Sequence, residues 1–147
     1  MRLRTSHRRT PRAATLPALL FAAVLGAPDG AAGQDDLERV EALAADGRTD
    51  EARVLLMEWW GEDREAASRE DVQRGIWLRG RLTVDPGQAA LEYWRLVVEY
   101  PGGPYTTGAL ERIGSGAAAT GDTPGAVRAW ETLVREHRGT PAAERAR

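Results

Sequence analysis

Apolar positions in the second half of the chain recur at helical spacing. Ala89, Tyr93, Leu96, Val97 and Tyr100 fall at i, i+4, i+7, i+8 and i+11, one stripe of a 3.6-residue helix, and Ala126, Trp130, Leu133, Val134 and His137 copy it. Weaker stripes come earlier in each unit: Leu37, Val40, Leu43 and Ala44 over 36–46, Val72, Ile76 and Leu82 over about 69–83, and Leu110, Ile113 and Ala117 over 107–120. No segment alternates with period two for long enough to make a convincing strand, so the pattern predicts an all-α fold.

Turn chemistry agrees with the stripes. Asp85-Pro86-Gly87-Gln88 offers an N-cap acceptor, a proline at the first helical position where its missing N–H costs nothing, and a glutamine able to close a capping box. Thr123-Pro124 repeats the proline device, and Asp35 with Glu38 and Ser68 with Asp71 have capping-box spacing. Pro101-Gly102-Gly103-Pro104 ends a helix, because two prolines and two glycines do not continue its ladder.

The two strong stripes belong to a repeat. At an offset of 37 residues Asp85 matches Asp122, Ala89 matches Ala126, Leu96 matches Leu133, Val97 matches Val134, Gly102 matches Gly139 and Pro104 matches Pro141, with Tyr93 facing Trp130. A further step back places Ala52, Leu56, Trp59 and Trp60 at the positions of Ala89, Tyr93, Leu96 and Val97. Each helix pair has an apolar face wider than its own two helices can cover, so neighbouring pairs must bury it together. The expected domain covers 34–147 as about three hairpins, with units near 35–70, 71–107 and 108–147. Thr140-Pro141-Ala142-Ala143-Glu144 reads as the opening of a seventh helix, which suggests a fragment of a longer array.

The N-terminus reads differently. Arg2, Arg4, Arg8, Arg9 and Arg12 precede an apolar stretch, Ala13 to Ala27, and a small-residue run, Gly30 to Gly33, which is the order of a cleavable secretory signal over 1–33. The apolar stretch is short of the roughly 20 residues that span a bilayer, so no stable membrane span is expected after cleavage beyond Ala32 or Gly33. The expected location is periplasmic or secreted.

Composition removes most chemistries. The chain has no Cys, no Lys and no Asn, which excludes disulfides, thiolate metal sites, Schiff-base lysines and a P-loop lysine. Residues 34–147 carry 15 Arg against 21 Asp and Glu, a net charge of −6 that argues against nucleic acid as partner. His137, the one histidine of that part, sits on a packing stripe at a helix end, and the carboxylates Glu62, Asp63, Glu65, Glu70 and Asp71 read as a solvated connector. No catalytic constellation, metal site or cofactor is implied. Trp59, Trp60 and Trp130 occupy stripe positions and are expected in the core, whereas Trp94 lies off the stripe and either faces a partner or packs on the next hairpin.

Gly121-Asp122-Thr123-Pro124-Gly125-Ala126 followed by Trp130, with Gly114 twelve residues before Ala126 and Pro101 twelve after Ala89, resembles the inter-helix turn, small residues and closing proline of the tetratricopeptide repeat family. The long unit and the connector Glu99 to Tyr105 are similar to the subtype of bacterial envelope proteins such as the outer-membrane assembly lipoprotein and the Tol-Pal-associated division coordinator. The resemblance implies a right-handed α-solenoid that binds protein or peptide partners in the cell envelope, with a concave groove lined by Arg74, Leu78, Arg81, Glu111 and Ser115. A non-catalytic repeat module of a longer envelope protein, with a further domain beyond Arg147, is the alternative. Three positions depart from the family pattern: Trp77 stands in the place of Gly114, Val84 replaces the turn glycine found at Gly47 and Gly121, and Arg138 replaces a closing proline.

Overall fold

Capping residues set the rhythm of the chain. In the computed structural model, which describes the backbone from Gly30 and side chains from Asp35 to Arg147, Ser68, Asp85, Asp122 and Thr140 each accept a backbone N–H of the helix that follows. The described residues form seven helices and no strand: α1 (Gly30–Ala45), α2 (Thr49–Glu62), α3 (Arg69–Leu82), α4 (Pro86–Glu99), α5 (Thr106–Ala119), α6 (Thr123–Glu136) and α7 (Pro141–Arg145). The fold class is all-α. The charged and apolar parts of the expected leader lie outside the described residues. No helix among the described residues is long and apolar enough to cross a membrane.

Two cap expectations need correction. Helix α1 already includes Asp35, which therefore caps nothing, and Pro124 stands second rather than first in α6, whose cap is Asp122, with the first carboxylate oxygen 2.9 Å from Gly125 N. At Ser68 and Asp85 the expected N-caps are in place. Asp71 N donates to Ser68 Oγ at 3.1 Å, and Gln88 N donates to Asp85 at 2.8 Å. Asp71 is nonetheless buried at this helix start, unlike the rest of the acidic connector. His137 is the half-buried C-cap of α6.

Turns 74 residues apart close identically. Gly47 and Gly121 adopt φ of 77° and 82°, and the next residues donate back across the turn, Arg48 N to Leu43 O at 2.9 Å and Asp122 N to Ala117 O at 2.8 Å. The turn between α3 and α4 has no left-handed residue: Thr83 is extended at φ −75°, ψ 128°. Val84 is tolerated there because that turn follows a different path.

Successive helices pack on one another, and α1 also meets α3 as α5 meets α7. The core is a chain of three apolar clusters. Leu37, Val40, Ala52, Leu56, Trp59, Leu78 and Leu82 form the first; Ile76, Tyr93, Leu96, Ala109, Ile113 and Ala129 the second; Leu110, Leu133, Ala142 and Ala143 the third. Trp60 packs against the first and second clusters, and Val97, its counterpart 37 residues on, against the second and third. Ala52, Ala89 and Ala126 are each the fourth residue of a 14-residue helix. Burial of these side chains, at about 25 cal/mol per Å² of apolar surface, is the main force holding the helices together.

Candidate functional site

Trp94 leads to the site. Its side chain is 38% exposed, as expected for an off-stripe residue, and with Tyr93 it lines a cleft of about 460 Å³ between α4 and the α5–α6 turn. Ala89, Ala90, Gly116 and Ala117 make the walls small, and Arg112 and Arg128 stand on them. The Tyr93 ring lies on Gly80, where a β-carbon would come 2.5 Å from Cε1. Burial pushes the Tyr93 phenol above its ordinary pKa, with Arg112 and Arg81 pulling weakly the other way. The hydroxyl is therefore a neutral hydrogen-bonding group in ordinary buffers.

This cleft is one of a set. Leu56 and Met57 line a cleft of about 690 Å³ between α2 and the end of α3, Tyr93 and Trp94 line the second, and Trp130 and Glu131 line a third of about 770 Å³ beside Ala146 and Arg147. Each pair is displaced from the last by the 37-residue repeat. The outer rows differ in character: Val54 and Met57 on α2 and Leu91, Trp94 and Val98 on α4 are exposed and apolar, whereas α6 presents Arg128, Glu131 and Arg135 at the corresponding positions. Exposed apolar side chains in register on two neighbouring helices are a feature of contact surfaces.

The charges around the clefts are committed to different degrees. In the first, Arg53 donates to Leu82 O at 2.7 Å and pairs with Asp50, while Arg79 pairs with Glu92 at 2.7 Å and lies 4.3 Å from the centre of the Trp60 ring. In the second, neither Arg112 nor Arg128 has an ion-pair or hydrogen-bond partner for its guanidinium among the described residues, and Asp122 is engaged in capping α6. In the third, Arg135 pairs with Glu136 and Arg147 with Glu144, and Arg138 shares the cleft with the unpaired Glu131.

The concave-groove residues fare unevenly. Leu78 is fully buried in the first core cluster and does not line an open groove. The reason is that α3 is an interior helix, burying Leu78 toward α1 and α2 and Ile76 toward α4 and α5, so no apolar face remains for a partner. Arg74 is committed to Glu41 of α1 at 2.6 Å, and Glu111 to Arg145 of α7 at 2.6 Å. Arg81 and Ser115 are exposed. Of the six residues, Trp94 alone lines the second cleft, with Arg81 acting electrostatically on its neighbour Tyr93.

Arg112 and Arg128 were not singled out by sequence, although the 37-residue register carries a signal for the site. It aligns Met57, Trp94 and Glu131, so an off-stripe position that is apolar twice and then charged marks the row. No group of His, Asp or Glu able to hold a metal occurs among the described residues. Comparison with protein-family models, with curated proteins and with solved structures finds no match to this chain.

Proposed function

We propose that the chain is an exported helical-repeat scaffold, a right-handed stack of tetratricopeptide-like hairpins that binds protein partners in the cell envelope. The observation that carries this reading is the recurrence of one cleft at 37-residue spacing, lined in turn by Leu56 with Met57, Tyr93 with Trp94, and Trp130 with Glu131. Repeats that bury their joints through equivalent residues, Trp60 and then Val97, leave a row of equivalent outer surfaces for contact. Export is supported by the arginine-rich start and the apolar stretch before the small-residue run.

Two measurements test the reading. Cell fractionation with N-terminal sequencing is expected to find the chain outside the cytoplasm and beginning after Ala32 or Gly33; an intact chain in the cytoplasm removes the export claim. A photo-crosslinking amino acid at position 94 or 115 is expected to capture a small, reproducible set of proteins in cells. Absence of adducts at both positions removes the scaffold.

A further inference from the structure

We infer that the second cleft recognises a carboxylate-bearing, apolar peptide segment of a partner protein. This inference rests on the scaffold reading and names the chemistry of its partner. Charge complementarity selects the ligand. Residues 34–147 carry a net charge of −6, yet this cleft holds two guanidiniums, Arg112 and Arg128, with no counter-ion among the described residues and its one carboxylate, Asp122, already engaged. In the first cleft the arginines are matched by Asp50 and Glu92, and in the third the unpaired Arg138 sits with the unpaired Glu131. Only the second cleft therefore has an unmet demand for negative charge.

Its floor supplies the other half of the recognition. Tyr93 and Trp94 provide aromatic surface beside the small walls, room for a leucine- or phenylalanine-sized side chain, while a guanidinium at the rim takes a carboxylate through two parallel N–H donors. An aromatic anchor ringed by complementary charge is the arrangement that concentrates binding energy at protein interfaces. Nucleic acid meets the same two cations, but the net negative charge of the rest of the surface repels a polyanion at longer range.

The experiment uses the full chain as the producing cell leaves it, immobilised and panned against a random peptide library displayed on phage. Enriched sequences are expected to place Asp or Glu beside Leu, Phe or Trp. A labelled copy of the leading peptide should weaken about tenfold or more with each of Arg112→Glu, Arg128→Glu and Trp94→Ala, and should weaken with added salt. Arg39→Glu on the far helix α1 should leave binding unchanged. All four side chains are on the surface, and circular dichroism checks that the variants keep their helices. Absence of enrichment, enriched peptides without acidic residues, or binding indifferent to the three cleft changes overturns the inference. So does self-association in sedimentation that is lost with Trp94→Ala, which assigns the cleft to a second copy of the chain. Crosslinks in cells from position 115 but not from 94 would defeat this inference while leaving the scaffold standing.

Discussion

The joint between α2 and α3 and the joint between α4 and α5 occupy the same place in the repeat, yet the large side chains that fill them come from different helices of the preceding pair. At the first, the large side chains come from α2: Trp59 and Trp60 lie on Gly75 of α3, where a β-carbon would come 2.5 Å from Trp59 Cζ3. α1 and α3 then meet directly and are tied by Glu41 and Arg74. At the second, the large side chain comes from α3 itself. Trp77 reaches over to Gly108 of α5 and against Tyr93 and Tyr105, with ring centres 5.4 and 5.8 Å away. α3 and α5 meet less closely than α1 and α3, and no ion pair links them among the described residues. A shared period therefore fixes where neighbours touch, while the pairing of a bulky residue with a glycine is settled joint by joint.

Removing the bulky member is the strongest way to break either joint. Trp59 is 1% exposed, so Trp59→Ala is expected to cost about 3–5 kcal/mol in urea unfolding followed by circular dichroism. Trp77 is only half-buried, and Trp77→Ala should cost less, about 2–3 kcal/mol. Equal costs would mean that the two joints do not differ in the way their packing indicates.

Adding a methyl to the small member is the next test. Gly114 of α5 carries the Trp130 ring so closely that a β-carbon would overlap it, whereas Gly116, two residues along the same helix, has nothing within 4 Å of that position. Gly116→Ala should stabilise by about 0.5–1 kcal/mol through helix propensity, and Gly114→Ala should destabilise by about 1–2 kcal/mol because overlap outweighs that gain. Stabilisation by both would show that Trp130 yields freely. At the second joint the same logic gives a double-mutant cycle: Gly108→Ala sets a β-carbon 3.1 Å from Trp77, so it should be less favourable in the parent than once Trp77 is alanine, a coupling of about 1 kcal/mol.

Much of this was legible in the sequence and some was not, for physical reasons. The helices and the buried stripes Tyr93–Leu96 and Leu133 follow from periodicity and capping, which are local. Trp77 stands where the third unit has Gly114, so either the second hairpin packs differently or the nearby glycines of α3 make room. Gly80 makes it for Tyr93, but Gly75 serves the tryptophans of α2, and the glycine that faces Trp77 is Gly108 of the next hairpin. Which partner yields depends on three-dimensional approach, which a period does not encode. Leu78 was misplaced for a related reason: a register that assigns one open face to each first helix fails for α3, whose neighbours cover both sides. The second cleft was visible only through Trp94, since Arg112 and Arg128 gain meaning from lacking partners.

The smallest expected effect separates the joints by pH. Hydrogen bonds from the Arg74 guanidinium, followed by its charge and that of Arg81, hold the Glu41 carboxyl below its ordinary value of 4.5 against the opposing effect of burial. A folded-state pKa lower than the unfolded one contributes stability above the unfolded value, and that contribution fades as pH falls through the folded one. Because Glu41 is over a third exposed, solvent screening limits the pair to about 0.5–1 kcal/mol, the upper range of surface pairs. Glu41→Gln should therefore lower stability by that amount at neutral pH and match the parent below the depressed pKa. A parent-minus-variant difference that persists unchanged into acid would mean that Glu41 acts through packing, and the first joint would then owe nothing to the charge that distinguishes it from the second.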